Sequence, residues 1–525
     1  VSERGEEHGF TGGHNPWVVA LTVTMATFME VLDTSIANVS LPHIAGNLSV
    51  SQDESTWVLT SYLVSNAIVL PTSGWFSTRF GRKRFYMTCV ALFTVSSFLC
   101  GVAPNLEALI FCRVLQGLGG GGLQPSEQAI LADTFPPRQR GMAFAIYGMA
   151  VVMAPALGPT LGGFITDRFS WRWVFFINIP VGLLSLFLSG RVVVDPPRLT
   201  EARKRVGPID YVGLSLIALG LGSLEYVLDK GQEDDWFTSR SIVVFSAIAA
   251  VALVAFVVWE WREEHPVVDV RLFRGRAFSA TIGMMLVLGM TLFGSTVLLP
   301  QYVQVWMGWS AEQAGMALSP GAVVVILLLP LVGRLVTHYD ARWLIGFGFV
   351  VLAAALFHMA DTLYPGIDFS TAVYLRMYQS VGFAFLFVPI NTLVYTTVPP
   401  SKKDQVSGII NLARNMGGDI GISLVTTLIA RRSQLHQSHL TSHLDAGNPV
   451  LRAKLAAIAR ALEHAGSSSV EAARQAYGVV YREILQQAQT LAYLDALFVL
   501  GLFAAATVPL VFLARPGASG SAHGR

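Results

Sequence analysis

Residues 17–42 read WVVALTVTMATFMEVLDTSIANVSLP, an apolar run that opens at Trp17, carries two carboxylates, Glu30 and Asp33, and ends on Pro42. About twenty apolar residues are what a helix needs to cross a hydrocarbon layer of about 30 Å. A charged side chain midway along such a helix costs roughly 3 kcal/mol on insertion scales, so it is expected to face protein or a polar cavity and to serve a function. The run thus reads as a membrane span with acidic chemistry inside it.

The rest of the chain repeats that pattern. Of its 525 residues 53% are hydrophobic and only 13% charged, where a soluble chain carries about a quarter. Apolar runs fall at about 17–36, 57–76, 85–103, 106–131, 141–165, 173–190, 209–228, 240–260, 278–300, 314–336, 343–361, 371–396, 404–430 and 490–514, about fourteen candidate spans. The composition excludes a large soluble core, and a net charge of +2 gives nucleic acid no purchase. Cys89, Cys100 and Cys112 lie in apolar runs without metal-ligand spacing and read as small buried hydrophobes. No basic leader with a small-residue cleavage site precedes Trp17, and no lipidation motif is evident, so the first run is expected to be a retained span.

Connector charge predicts the orientation. Arg79, Arg82, Lys83 and Arg84 follow the second run, Arg138 and Arg140 the fourth, Arg191, Arg198, Arg203, Lys204 and Arg205 the sixth, and Arg262, Arg271, Arg274 and Arg276 the eighth. Segments 37–56 and 303–313 hold no Lys or Arg. Short basic loops stay cytoplasmic, so both termini are expected inside. Residues 431–489 form a long polar connector on the other side. Asn448-Pro449 is a helix start, Leu451, Leu455, Ile458 and Leu462 recur at helical spacing, and Ser468 and Ser469 precede a second helix ending near Gln489. An external helical hairpin is expected there.

Ionisable side chains inside the spans are the strongest functional signal. Glu30 and Asp33, three apart, share a helix face. Arg113, Gln116, Gly120 and Glu127 lie near one face of the fourth run, and Asn411, Arg414 and Asp419 interrupt the thirteenth. Together they predict a polar cavity with compensating charges drawn from both halves. Burial and a neighbouring guanidinium act in opposite senses on a carboxyl group's hold on its proton, so a change of water access can load and unload it. A static ion pair is the alternative reading for each residue.

Three local patterns accompany these residues. Gly74-Trp75-Phe76-Ser77-Thr78-Arg79-Phe80-Gly81-Arg82-Lys83-Arg84 joins two spans with small residues and cations suited to a latch. A degenerate echo, Gly333-Arg334 through Arg342, follows the tenth run and hints at two related halves. Ala154-Pro155-Ala156-Leu157-Gly158-Pro159-Thr160-Leu161-Gly162-Gly163 predicts a bendable, closely packed helix. Gly117–Gly122 fits G-x-G-x-x-G, but it lies in an apolar helix without the strand a nucleotide fold requires, and helix packing is the better reading. No P-loop is present, so the chain lacks an ATP motor of its own. His436, His439 and His443 would share a helix face, and read as solvated histidines of an external loop.

These residues together resemble the major facilitator superfamily, and within it the fourteen-span drug:proton antiporters of the EmrB type, over nearly the whole chain. Leu32-Asp33-Thr34-Ser35-Ile36-Ala37-Asn38-Val39-Ser40-Leu41-Pro42 resembles the first-span signature of that group. Gly74–Arg84 resembles the cytoplasmic gating motif, with Ser77 where an acidic residue is common. Arg113–Gly120 resembles the fourth-span motif and Ala154–Gly163 the antiporter motif. Trp171–Pro180, Leu228-Asp229-Lys230-Gly231 and Asp235-Trp236-Phe237 are more specific to the EmrB type. Asp419 and Glu127 depart from the small or hydroxyl residues expected there.

The resemblance implies an all-α membrane protein of the major facilitator fold: two six-helix bundles, 1–190 and 261–525, a cytoplasmic linker at 191–208, two additional spans at 209–260, and the hairpin 431–489 before the last span. It implies proton coupling through Asp33, assisted by Arg113; Glu30, Glu127 and Asp419, read from the residues themselves as acids inside spans, are further candidate proton sites. Gln116, Asn411, Arg414 and Asn38 are substrate-cavity candidates. Gly74, Arg79, Gly81, Arg82 and Lys83 are the gating residues; Pro155, Gly158, Pro159, Gly162 and Gly163 are those of the antiporter motif. No cofactor or metal is expected, the proton gradient being the energy source. The implied setting is a bacterial inner membrane, with hydrophobic drugs as substrates, a periplasmic adaptor of the EmrA type and an outer-membrane channel of the TolC type. A facilitator of small polar solutes, and a membrane-embedded enzyme or receptor, are the alternatives that the residues themselves leave open.

Overall fold

The computed structural model describes residues 13–197, 199, 203, 207–396, 398, 402–442, 444 and 447–514, without the side chains of 156, 159, 311 and 312. Its helices of eight residues or more are numbered here in chain order. α1 (Pro16–Leu48) starts where the Asn15 side chain accepts from the Trp17 amide and Pro16 takes the first helical position. Then come α2 (Trp57–Phe80), α3 (Arg82–Gly101), α4 (Leu106–Gly120), α5 (Leu123–Thr134), α6 (Arg140–Arg168) and α7 (Asn178–Val192). The pair α8 (Tyr211–Lys230) and α9 (Arg240–Arg262) separates these from α10 (Arg276–Met307), α11 (Ala311–His338), α12 (Ala341–Thr362), α13 (Phe369–Thr396), α14 (Lys403–Ser442), α15 (Pro449–His464) and α16 (Ser469–Thr507).

The two groups pack by one scheme. With α4 and α5 taken as a single broken unit and the hairpin helix α15 set aside, the first helix of each group lies on the fifth and sixth: α1 on α6 and α7, α10 on α14 and α16. The fourth lies on the second and third, α4 on α2 and α3, α13 on α11 and α12. The third lies on the sixth, α3 on α7, α12 on α16. Between the groups, each second helix meets the other's fifth, α2 against α14 and α11 against α6. That reciprocity is the arrangement of a transporter built from repeats, with a seam on which the halves can rock. α8 packs on α9, and also on α2 and α14, so the extra pair sits over one seam.

Ten helices among the described residues are long and apolar enough to cross a membrane, and the bent α6 makes eleven. The expected spans at 57–76 and 404–430 are helical as well, but too polar to be selected on composition, and that at 106–131 is divided into two helices each too short to be selected. Their polarity has a cause: they carry Tyr62, Asn66, Arg113, Gln116, Gln124, Asn411, Arg414 and Asp419, whose side chains build the networks described below.

Three boundaries differ from expectation. The fourth span divides at Gly121 and Gly122 into α4 and α5. Glycines there admit close neighbours: a Cβ on Gly117 would stand 2.1 Å from Ser65 Oγ, and one on Gly119 2.7 Å from the Phe93 backbone. The second helix of the hairpin does not stop near Gln489. It runs on as α16 to Thr507, and α14 likewise continues past 430 to Ser442. No Gly or Pro lies between Gly478 and Gly501, or between Gly421 and Ser442, so nothing in the sequence breaks either helix. The predicted caps hold: Asn448 accepts from the amides of Val450 and Leu451, and Ser468 from that of Glu471.

Candidate functional site

Asp33 is buried among donors. Arg113 Nη1 donates to Oδ2 at 2.6 Å, Asn178 Nδ2 to Oδ1 at 2.6 Å and Gln116 Nε2 to Oδ1 at 3.1 Å. Arg113 is held in turn by the Val58 carbonyl at 2.9 Å and by Gln116 Oε1 at 2.7 Å, and its guanidinium lies 4.3 Å from the Tyr62 ring centre. Gln116 and Asn178 both reach Ser97 Oγ, at 2.7 and 3.3 Å. Four helices of the first half, α1, α3, α4 and α7, thereby share one carboxylate. Each charge is buried with its partner, which is the condition under which an ion pair survives in a low-dielectric interior.

Glu30, one turn away on α1, faces the other half. Its Oε1 accepts from Tyr62 OH at 3.0 Å and Asn66 Nδ2 at 3.3 Å, and its Oε2 from Gln124 Nε2 at 2.6 Å. The Gln124 oxygen accepts from Arg414 Nη2 and from Tyr147 OH. Arg414 Nη1 also donates to Tyr147 OH at 2.9 Å, and Asn411 Nδ2 donates to Gln128 Oε1 at 3.0 Å. This is a continuous polar chain from a buried carboxyl of the first half to an arginine of the second.

The expected single cluster is therefore three separate places. Asp33, Arg113 and Gln116 form one; Glu30, Asn411 and Arg414 form the second. Asp419 belongs to neither. Five residues beyond Arg414, it is turned by about 140° around α14 and lies against Glu225 of α8. Glu127 accepts from Thr24 Oγ1 at 2.5 Å, and its Oε2 lies buried without a hydrogen bond among the described residues. Asn38 is exposed on α1.

The second half repeats the arginine but not the acid. Arg376 and Gln379 of α13 have the spacing of Arg113 and Gln116 on the equivalent helix, and Arg376 Nη1 donates to Gln379 Oε1 at 2.6 Å. Where Asp33 would stand, α10 supplies Thr296, which accepts from Arg376 Nη2 at 2.9 Å. The buried carboxylate at this position belongs to one half alone.

The Gly74–Arg84 pattern closes one end of the seam. Arg82, fully buried, donates through Nε and Nη2 to the two oxygens of Asp404 on α14 at 2.8 and 2.7 Å, and through Nη1 to Asp133 at 2.7 Å. Ser77 Oγ adds a bond to Asp404 at 3.0 Å, and Lys403 Nζ reaches Asp133 at 3.1 Å. The acid missing at position 77 is thus supplied by the opposite half. Gly74 lets that half approach, since a Cβ there would stand 2.6 Å from the Gln405 backbone, and Gly81 takes the left-handed region with φ 92°. Lys83 turns away, donating its amide to Asp195 at 2.8 Å and its ammonium to the Gly190 carbonyl at 2.7 Å.

α6 bends by 46° between Pro155 and Thr160. Gly158 and Gly162 press on α1, where added Cβ atoms would meet Ser35 Oγ at 2.1 Å and Ile36 at 3.2 Å, while Gly163 has open space. Ser35 Oγ donates to the Pro155 carbonyl at 3.3 Å, tying the bend to the helix of Asp33. The Pro159 side chain lies outside the described ones. In the hairpin, His436 contacts Asp495 at 2.9 Å, and His443 lies outside the described residues.

Sequence reading missed Tyr62, Asn66, Gln124, Tyr147, Asn178 and Glu225. The last had a signal, an acid deep within the apolar 209–228 run; the others are polar residues of ordinary type whose role rests on contacts 23 to 290 positions distant.

The sequence model of the Major Facilitator Superfamily matches residues 23–422. The chain is 36% identical to the multidrug export protein EmrB of Escherichia coli (strain K12), covering 96% of this chain and 98% of that one. It is 36% identical to the fatty acid resistance protein FarB of Neisseria gonorrhoeae, covering 95% and 96%. Among solved structures, the human organic anion transporter MFSD10 (TETRAN) has the same fold, with a TM-score of 0.57 at 13% identity over 94% of this chain and 100% of that one. The chain belongs to the Major Facilitator Superfamily, among the relatives of the EmrB multidrug export proteins.

Proposed function

We propose that this protein is a proton-driven multidrug efflux transporter, exporting hydrophobic or amphipathic toxic compounds by alternating access. Multidrug export rests on the EmrB relatives and on the fold; it is transport, not enzymatic catalysis. Proton coupling rests on one observation above the rest: a buried carboxylate, Asp33, held by Arg113 at 2.6 Å in the first half, where the repeat in the second half keeps the arginine and has no acid. Asp33 and Arg113 form the coupling site, Glu30 signals through Gln124 to Arg414, and Glu127 is a subsidiary proton site. In the proposed cycle the Arg82–Asp404 latch opens to admit drug from the cytoplasm or inner leaflet. Its closure accompanies opening at the far end, where a proton displaces the drug.

The same proposal places fourteen spans in the inner membrane, both termini and the Arg82 latch on the cytoplasmic side, and the hairpin outside. An adaptor of the EmrA type and a channel of the TolC type would complete a tripartite exporter, the hairpin being the docking element. The test is efflux from proteoliposomes under an imposed pH gradient, with a panel of hydrophobic dyes, a sugar, and an uncoupler. Uncoupler-sensitive export of dyes but not of sugar is expected. Sugar flux, or dye export indifferent to the uncoupler, contradicts the proposal.

A further inference from the structure

Away from the central network, a cavity of about 350 Å³ opens where α8 lies over the seam between α2 and α14. Its wall mixes apolar and acidic side chains: Leu63, Leu228 and Ile422 beside Glu225, Asp229 and Asp419. Glu225 is 2% exposed, and its carboxyl lies against that of Asp419 in the same cavity wall. Two carboxyls in contact share a proton, because both cannot carry charge at that separation. No amide, hydroxyl or basic group of the described residues reaches Glu225 Oε2, and Ser423 Oγ, also lining the cavity, is likewise buried without a partner.

The other charged groups facing this place leave the acidity uncompensated. Asp229 accepts from Thr60 Oγ1 of α2. Lys230 is the cation within reach, and its ammonium is taken by Glu233 at 2.6 Å and by Thr56. α2 contributes no ionisable side chain here, since Tyr62 turns to Glu30, and α14 contributes Asp419 alone. Buried acceptors without donors are costly to leave unmet. A cavity of this size, whose apolar wall of Leu63, Leu228 and Ile422 stands beside convergent acidic and polar groups, has room for a small amphipathic molecule.

We infer that this cavity is a binding site for amphipathic organic cations, in which Glu225 and Asp419 together hold the cationic group and the apolar walls hold its body. Binding exchanges a cation for the shared proton: the acid–carboxylate pair, net charge minus one, becomes two carboxylates around one positive charge, and one proton leaves to solvent. This deepens the efflux proposal by naming a substrate class and a place where drug and proton compete. It also gives the inserted pair α8–α9 a task, since Glu225 is its contribution. The central network, by contrast, has its carboxylates already paired.

The experiment is equilibrium binding to the purified full chain in detergent, with ethidium as the cation and N-phenyl-1-naphthylamine as an uncharged probe. The parent is expected to bind ethidium with release of about one proton, read from binding heats in buffers of different ionisation enthalpy. Glu225→Gln with Asp419→Asn is expected to weaken ethidium binding at least tenfold, abolish the proton release, and leave the uncharged probe within twofold. Ser423→Trp, which fills the cavity without removing a charge, is expected to weaken ethidium binding equally, and decides the matter if the double variant does not fold. A parent that binds no ethidium, or a double or Trp variant within twofold of the parent, overturns the inference. Because binding needs no transport, a parent that binds ethidium this way yet exports nothing contradicts the efflux proposal while upholding the site.

Discussion

Arg82 of the first half grips Asp404 of the second with two parallel hydrogen bonds of 2.8 and 2.7 Å, deep in the closed end of the seam. Planar bidentate pairs are the strong, directional ones, and this pair is buried on both sides. The state described is therefore one in which this end is shut, while a cavity between α2, α8 and α14 lies farther along the same seam.

Asp404→Asn removes the charge and one acceptor of the fork, leaving Arg82 to Asp133. Breaking a buried pair costs roughly 3–5 kcal/mol, and partial rescue by Asp133 reduces that. At least a tenfold shift toward the open end is expected, about 1.4 kcal/mol. Spin labels at Phe80 and Tyr339, one on each half, should report a longer distance in the variant; an unchanged distribution would show that the pair does not hold the end shut.

Gly74→Ala places a methyl group 2.6 Å from the Gln405 backbone, which cannot move aside as a side chain would. Overpacking of this kind costs about 1–3 kcal/mol, and here it opposes closure specifically. Drug export should fall at least tenfold, whereas Gly346→Ala, with open space around it, should stay within twofold. Equal activity of the two variants would mean that the close approach is dispensable.

The gating pattern was legible in the sequence because its glycines and cations are contiguous, and so was the helical framework, because apolar runs declare themselves. What was not legible was the partner. Asp404 lies 327 positions from Ser77, and no local rule joins them. Asp419 and Arg414 look like neighbours in a linear reading, yet helix rotation sends one to the central network and the other to Glu225. The break at Gly121–Gly122 and the fusion of the hairpin with the last span follow from rules available beforehand. Apolar runs alone do not show them, because hydropathy marks the membrane-embedded stretch and not where a helix breaks or continues.

Asn178→Ala deletes one of the three side chains that donate to Asp33, at 2.6 Å. Loss of a buried hydrogen bond to a charged group costs about 1–3 kcal/mol, so pH-driven export should drop roughly 5- to 150-fold with drug binding retained. Asn178→Ser should recover part of it. Full activity in the alanine variant would remove Asn178 from the coupling site.

Residues 440–485 span the hairpin tip, and Gln437 and Tyr481 face each other at 3.1 Å across its base. Replacing 440–485 by a short Gly-Ser linker should leave the purified protein monodisperse and able to bind drug, while abolishing pull-down of the adaptor. Undiminished adaptor capture would dismiss the hairpin as its dock.

Should drug and proton move through one machine, each must answer to Asp33. With a pH-sensitive dye sealed inside proteoliposomes, adding a transported drug to the parent should drive protons opposite to it. Asp33→Asn should bind the drug and move no protons. Proton movement at the parental rate in that variant would contradict the account.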